Sequence, residues 1–144
     1  SGLSVDNVSR QYLNHGHEAM FITDQVAAPL FVHEGDRDSV AKVAHVRGTF
    51  SRRHMLDADF EVIPTPGHTP GHQSLVVETS DGTIVLAGQA LQSRAEWEGA
   101  TEPSASGRSS APDPHAYERS VERLRALEPV RVHFAHDPAI WERG

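Results

Sequence analysis

The stretch FEVIPTPGHTPGHQSLVVETSDGTIVLAGQAL, Phe60 to Leu91, decides the reading of this chain. Its opening apolar run, Phe60 to Ile63, predicts a strand. Thr65 to His72, TPGHTPGH, then sets two prolines and two glycines in eight residues, a density that no regular element tolerates. Ser74 to Glu78 and Thr83 to Ala87 are β-rich runs joined through Ser80-Asp81-Gly82, a hairpin signal. A strand therefore delivers His68 into a turn, and loops at strand ends are where rigid scaffolds place ligands and catalytic groups.

Toward the N-terminus, Gln11 to Leu13 predicts a short strand that runs into NHGHEAM, with His15 and His17 two apart. That spacing aims two imidazoles from a strand end at one metal ion. Toward the C-terminus, Val130 to Phe134 predicts a strand that runs into Ala135-His136-Asp137. Four histidines, His15, His17, His68 and His136, thus fall at strand-to-loop junctions. An open zinc site commonly takes three histidines and leaves a fourth position for water.

The intervening segments predict alternating elements. Asp6 to Arg10 reads as a helical turn, Thr23 to Ala28 as helical, Pro29 to Val32 as a strand, and Asp36 to His45 as a helix. Arg47 to Asp57 is ambiguous. The segment 92–112, poor in large apolar residues, reads as a long exposed loop. Asp113 and Pro114 supply an N-cap and a first-turn proline for a helix to about Glu128, with Tyr117, Val121, Leu124 and Leu127 on one face. A short C-terminal helix closes the chain. This alternation predicts an α/β (α+β) fold in one domain, residues 1–144.

Bulk composition excludes several classes. A net charge of −7 with scattered basic residues points away from nucleic acid and anionic membrane. The absence of cysteine rules out disulfides and thiolate zinc sites, and no serine sits in a Gly-X-Ser-X-Gly elbow. No apolar run is long enough to span a membrane, and with no signal pattern the default expectation is a cytoplasmic protein. Ten histidines in 144 residues is the unusual number.

The Phe60–Leu91 stretch resembles the central segment of the metallo-β-lactamase superfamily, in which a strand leads to a Pro-Gly-His-Thr-Pro-Gly-His turn and a hairpin ending in Gly-Asp. NHGHEAM stands where that superfamily has His-X-His-X-Asp-His, and VHFAHDPAIW resembles the C-terminal segment of its lactonase-like branch. The resemblance covers Asp6 to Trp141 and implies αβ/βα layers with metal at the sheet edge. It also implies that His15, His17 and His68 hold the first metal and that His136 belongs to the second. Three positions depart: Ala19 replaces the Asp that also orients the attacking water, Met20 replaces a His, and Gln89 replaces the bridging Asp. Alanine offers no ligand, the methionine thioether is too soft for zinc here, and Gln89 offers only a neutral carbonyl, a weaker ligand. The resemblance thus implies a degenerate site holding at most one zinc per chain. Loss of a general base alone costs about 10²–10⁴ in rate.

Fourteen residues precede His15, where resembling chains carry a further sheet. The chain is therefore expected to represent roughly the C-terminal part of the usual fold, with one sheet face open. An open apolar face predicts a homodimer, or another partner covering it. Two functions compete: a non-catalytic or weakly active scaffold or binding module, and a mononuclear metal-dependent hydrolase acting on a lactone or ester-like bond. Among the other candidates, His72 is expected to bond backbone, and Gly67, Gly71 and Gly88 to serve backbone conformations. His33, His45, His54 and His115 are expected to be solvated. His133 could face core or site, and Trp97 and Trp141 could line a pocket or pack.

Overall fold

Nine strands form two sheets in the computed structural model, which describes residues 2, 4–23, 25–103 and 115–144. Strands β1 (Gln11–Tyr12), β2 (Leu30–His33) and β3 (Val46–Phe50) make a parallel three-stranded sheet. Strands β4 (His54–Asp57), β5 (Phe60–Pro64), β6 (Gln73–Thr79), β7 (Gly82–Leu86), β8 (Arg131–His133) and β9 (Trp141–Glu142) make the second sheet in that order. All its pairs are antiparallel except β7 with β8. That one parallel pair needs a crossover, which carries helices α2 (Arg94–Trp97) and α3 (Ala116–Arg125).

Pairing fixes which side chains share a face. Ile63, Val76, Val85 and Val132 project to one side and join Leu91, Trp97, Tyr117, Val121 and Leu124 in the larger core. Phe60, Val62, Leu75, Val77, Ile84 and Leu86 share the opposite side. There Val62 is buried, while Phe60 and Leu86 remain 43% and 40% exposed. A smaller core of Leu13, Ala19, Leu30, Val32 and Val40 lies on the three-stranded sheet.

Several elements differ from expectation, each for a reason visible in its contacts. The Asp36–His45 helix is a 3-10 turn followed by the four residues of α1 (Arg37–Val40). Val40 is fully buried, whereas Val43 is 67% exposed and only the small Ala44 packs on the core beyond it, so a longer helix would gain little burial. Thr23 to Ala28 is not helical among its described residues. The Thr23 hydroxyl accepts from Gln25 N–H, and Gln11 holds the carbonyls of Val26 and Ala28; such local bonds compete with helix. The ambiguous Arg47–Asp57 region splits into β3 and β4, one for each sheet.

The expected exposed loop contains α2, whose N-terminal Ser93 hydroxyl accepts from Glu96 N–H. Trp97 anchors it in the core. Residues 104–112 of that loop, and the expected cap at Asp113-Pro114, lie outside the described residues. The C-terminal helix is instead strand β9, because Trp141 packs on Trp97 at 5.5 Å between ring centroids and Arg131 pairs with Glu142 across the strands. The two tryptophans therefore pack rather than line the candidate site.

Candidate metal centre

The C-terminal ends of β1, β5, β7 and β8 lead into loops along one edge of the sheets. His15 lies three residues beyond the end of β1 at Tyr12, in extended backbone, and His17 sits in the 3-10 turn Gly16–Phe21. His68 comes from the TPGHTPGH turn after β5, Gln89 from a 3-10 turn after β7, and His136 from the loop after β8.

His15, His17 and His68 converge. One ring nitrogen from each lies within 4.8 Å of the others. His17 Nδ1 faces His68 Nε2 at 3.0 Å, and the ring planes stand nearly perpendicular at 4.8 Å between centroids. His15 is buried, and its Nε2 has no hydrogen-bond partner among the described residues. An orphaned buried nitrogen beside two facing nitrogens fits a shared cation, because it exposes lone pairs that no protein donor satisfies. Burial first, and repulsion from His68 and His17 second, lower the His15 pKa to about 4, against the weaker pull of Asp36. At neutral pH His15 is uncharged, which is the ligating form.

A polar frame holds these ligands. The Asn14 side chain accepts from His15 Nδ1 and donates to the Gln73 carbonyl, so His15 is oriented from its far nitrogen. Buried Asp36 ties the two ligand loops together. Its Oδ2 accepts from Gly16 N–H at 2.7 Å and from the Thr69 hydroxyl at 2.7 Å, and its Oδ1 accepts from Gly71 N–H at 2.9 Å. Gly16 lies between His15 and His17, and Thr69 follows His68. A Cβ on Gly71 would approach the Asp36 backbone nitrogen to 2.6 Å, so only glycine fits there.

His72 is fully buried and held neutral; burial, then repulsion from His15 and His68, lower its pKa to about 3. Its Nδ1 bonds the Thr65 carbonyl and hydroxyl. Its Nε2 accepts from Gln89 N–H at 2.9 Å. The expected backbone-bonding histidine therefore also positions the Gln89 loop. Gly88, at φ +60°, allows this close approach, since a Cβ would sit 2.6 Å from Asn14 Nδ2.

The remaining candidates are placed differently. Exposed His136 meets Gln89 Nε2 at 3.1 Å and lies outside the three-histidine group. Ala19 is buried in the smaller core, and Met20 is 76% exposed. His133 is half-buried on β8. His45 and His115 are exposed, whereas His33 and His54 are half-buried beside Phe50. Asn14, Asp36 and Gln73 were missed from sequence, because no local pattern marks a residue whose partners lie 20 to 59 positions away. His15, His17, Glu18, Met20, Gln89 and His136 line one cleft of about 520 Å³. Glu18 approaches His15 Nδ1 to 3.9 Å, and burial raises its carboxyl pKa.

Residues 12–136 match the family model of the metallo-beta-lactamase superfamily. The chain belongs to that superfamily. An N-acyl homoserine lactonase of Bacillus thuringiensis is 33% identical over 93 residues, covering 58% of this chain and 35% of that protein. One of Bacillus cereus is 47% identical over 38 residues, covering 22% of this chain and 15% of that protein. The chain thus spans about a third or less of these relatives' length. An N-acyl homoserine lactone hydrolase solved with N-hexanoyl-L-homoserine at its catalytic metal center superposes with a TM-score of 0.72 at 21% identity. The match covers 95% of this chain and 59% of that one. AidC, a dizinc quorum-quenching lactonase, gives a TM-score of 0.67 at 14% identity, covering 95% of this chain and 60% of that one. These superpositions establish the fold: mixed α/β layers of the metallo-β-lactamase type, matched over part of each larger chain. Among the described residues no helix is long and apolar enough to cross a membrane.

Proposed function

We propose that this domain is a mononuclear, metal-dependent hydrolase acting on a lactone or ester-like bond. The observation that carries the proposal is the convergence of one ring nitrogen each from His15, His17 and His68 to within 4.8 Å of one another, with His17 Nδ1 facing His68 Nε2 and the buried His15 Nε2 otherwise unpartnered among the described residues. A divalent ion bound there, zinc in the first instance, would act as a Lewis acid on a carbonyl oxygen and lower the pKa of water. The chain's own residues set the rest. Asn14 fixes the His15 ring, Asp36 fixes the spacing of the two ligand loops, and Met20 and Phe21 offer apolar surface at the cleft mouth, being 76% and 74% exposed. The relatives' N-acyl homoserine lactonase activity supports a lactone as the first substrate class to test.

A second reading, a metal-binding scaffold without turnover, is favoured by Ala19, Met20 and Gln89, which remove a carboxylate base and two ligands. Ring opening of a lactone yields a carboxylic acid, so proton release in weak buffer follows the reaction directly. The hydrolase reading expects proton release from zinc-loaded protein, abolished in His17→Ala. Zinc-loaded protein without lactone or ester turnover would leave the scaffold. The proposal extends to assembly: Phe60 and Leu86, exposed on an apolar sheet face, support covering of that face by a second copy. Sedimentation equilibrium showing only monomer at high micromolar concentration would contradict the dimer.

A further inference from the structure

We propose that a Gln89–His136 hydrogen-bonded clasp takes the place of a second metal ion in this domain, and that the clasp, not an ion, forms that wall of the cleft. The inference rests on the three-histidine reading above and goes beyond it by assigning the neighbouring position. AidC carries two zinc ions on the same fold, so an account is needed of what fills the equivalent space here.

Three independent placements support the clasp. Gln89 Nε2 meets His136 Nε2 at 3.1 Å. An amide nitrogen only donates, so the imidazole accepts through Nε2 and carries its proton on Nδ1. In that arrangement the Nε2 lone pair of His136 is taken up by the amide. The Gln89 backbone is itself fixed by its N–H bond to His72 at 2.9 Å, so the amide is delivered to His136 by a buried anchor. Next, Ala19 packs at 5% exposure with Leu13, Leu30, Val32 and Val40, facing the smaller core, where a carboxylate would be costly to bury. Finally, Met20 turns outward and is 76% exposed.

Charge points the same way. A second divalent ion beside the first needs negative ligands to offset mutual repulsion. The carboxylate on the cleft wall is that of Glu18, which contacts His15 Nδ1 rather than the side of Gln89 and His136. The Gln89 Oε1 is buried without a partner among the described residues, so the amide presents no ligand oxygen to an ion in the cleft.

Imidazole ¹⁵N resonances test the clasp on the intact chain, titrated with zinc and with metal content measured on the same samples. The expected result is one equivalent bound, with His15, His17 and His68 shifting and His136 keeping its Nδ1–H tautomer throughout. Two equivalents, or a metal-type shift of the His136 Nε2, would overturn the clasp and leave the three-histidine site standing. No zinc bound at all would overturn the three-histidine reading, and the clasp with it. The variant Gln89→Asp, which restores a carboxylate without burying one in the smaller core, is expected to bring His136 into the set of zinc-shifted histidines; where it does not fold, Gln89→Glu is expected to do the same.

Discussion

Asp36 is the residue whose replacement most directly tests how the ligand loops are held. Its carboxylate receives three donors, two of them backbone N–H groups, in a site only 4% exposed. Asp36→Ala removes the acceptor and leaves all three donors. An unsatisfied buried donor costs about 1–3 kcal/mol, so with partial entry of water the expected loss is about 3–6 kcal/mol. Asp36→Asn is more informative. Its carbonyl can keep Gly16 and Thr69, but its NH₂ then faces Gly71 N–H, donor against donor, for an expected loss of about 2–3 kcal/mol. Gly16 and Thr69 flank His15, His17 and His68, so zinc affinity is expected to fall on the order of tenfold or more, as for other supporting residues. Urea unfolding followed by tryptophan fluorescence reads the first effect and calorimetric zinc titration the second. Asp38→Asn, at a carboxylate 97% exposed, is the control and should change neither. An Asp36→Asn protein within about 0.5 kcal/mol of the parent, the range of neutral surface changes, with unaltered zinc affinity, would refute the keystone role.

Other expectations follow from the same frame. His72, with its pKa near 3 in the fold against about 6.5 when unfolded, binds fewer protons folded than unfolded between those values. Stability is therefore present above about pH 6.5 and falls as pH drops toward 3. The urea midpoint should decline across that window, and less steeply in His72→Gln. Gly88→Ala places a Cβ against Asn14 and His72 at a φ of +60°; it should cost about 1–3 kcal/mol and weaken zinc binding. Trp97→Ala removes the side chain that packs on Trp141 and lies under the Arg125 guanidinium. A loss of about 3–5 kcal/mol is expected in chemical denaturation, with zinc affinity preserved because Trp97 belongs to the larger core and does not line the histidine cleft.

The legibility of this chain divides by the range of the forces involved. TPGHTPGH was readable because proline and glycine act locally on the backbone, and the β6–β7 hairpin because Asp81-Gly82 marks a tight turn. The histidines at strand ends were readable because a strand fixes where its last residues point. Asp36 was not, since its value comes from donors on two other loops. Strand β9 was misread as helix because Trp141 gains its partner, Trp97, from a segment 44 positions earlier. The short α1 was overextended because apolar spacing alone cannot show that Val43 has nothing to bury against. The resemblance alone marks Ala19 as standing where a ligand is expected, and its packing in the smaller core is a tertiary fact.

Metal content per chain on untagged, chelator-free protein tests the central claim most directly, measured beside His15→Ala/His68→Ala. The three-histidine centre predicts about one ion per chain in the parent and none in the double variant. A parent that stays metal-free in excess zinc, or a double variant that keeps its metal, would contradict it.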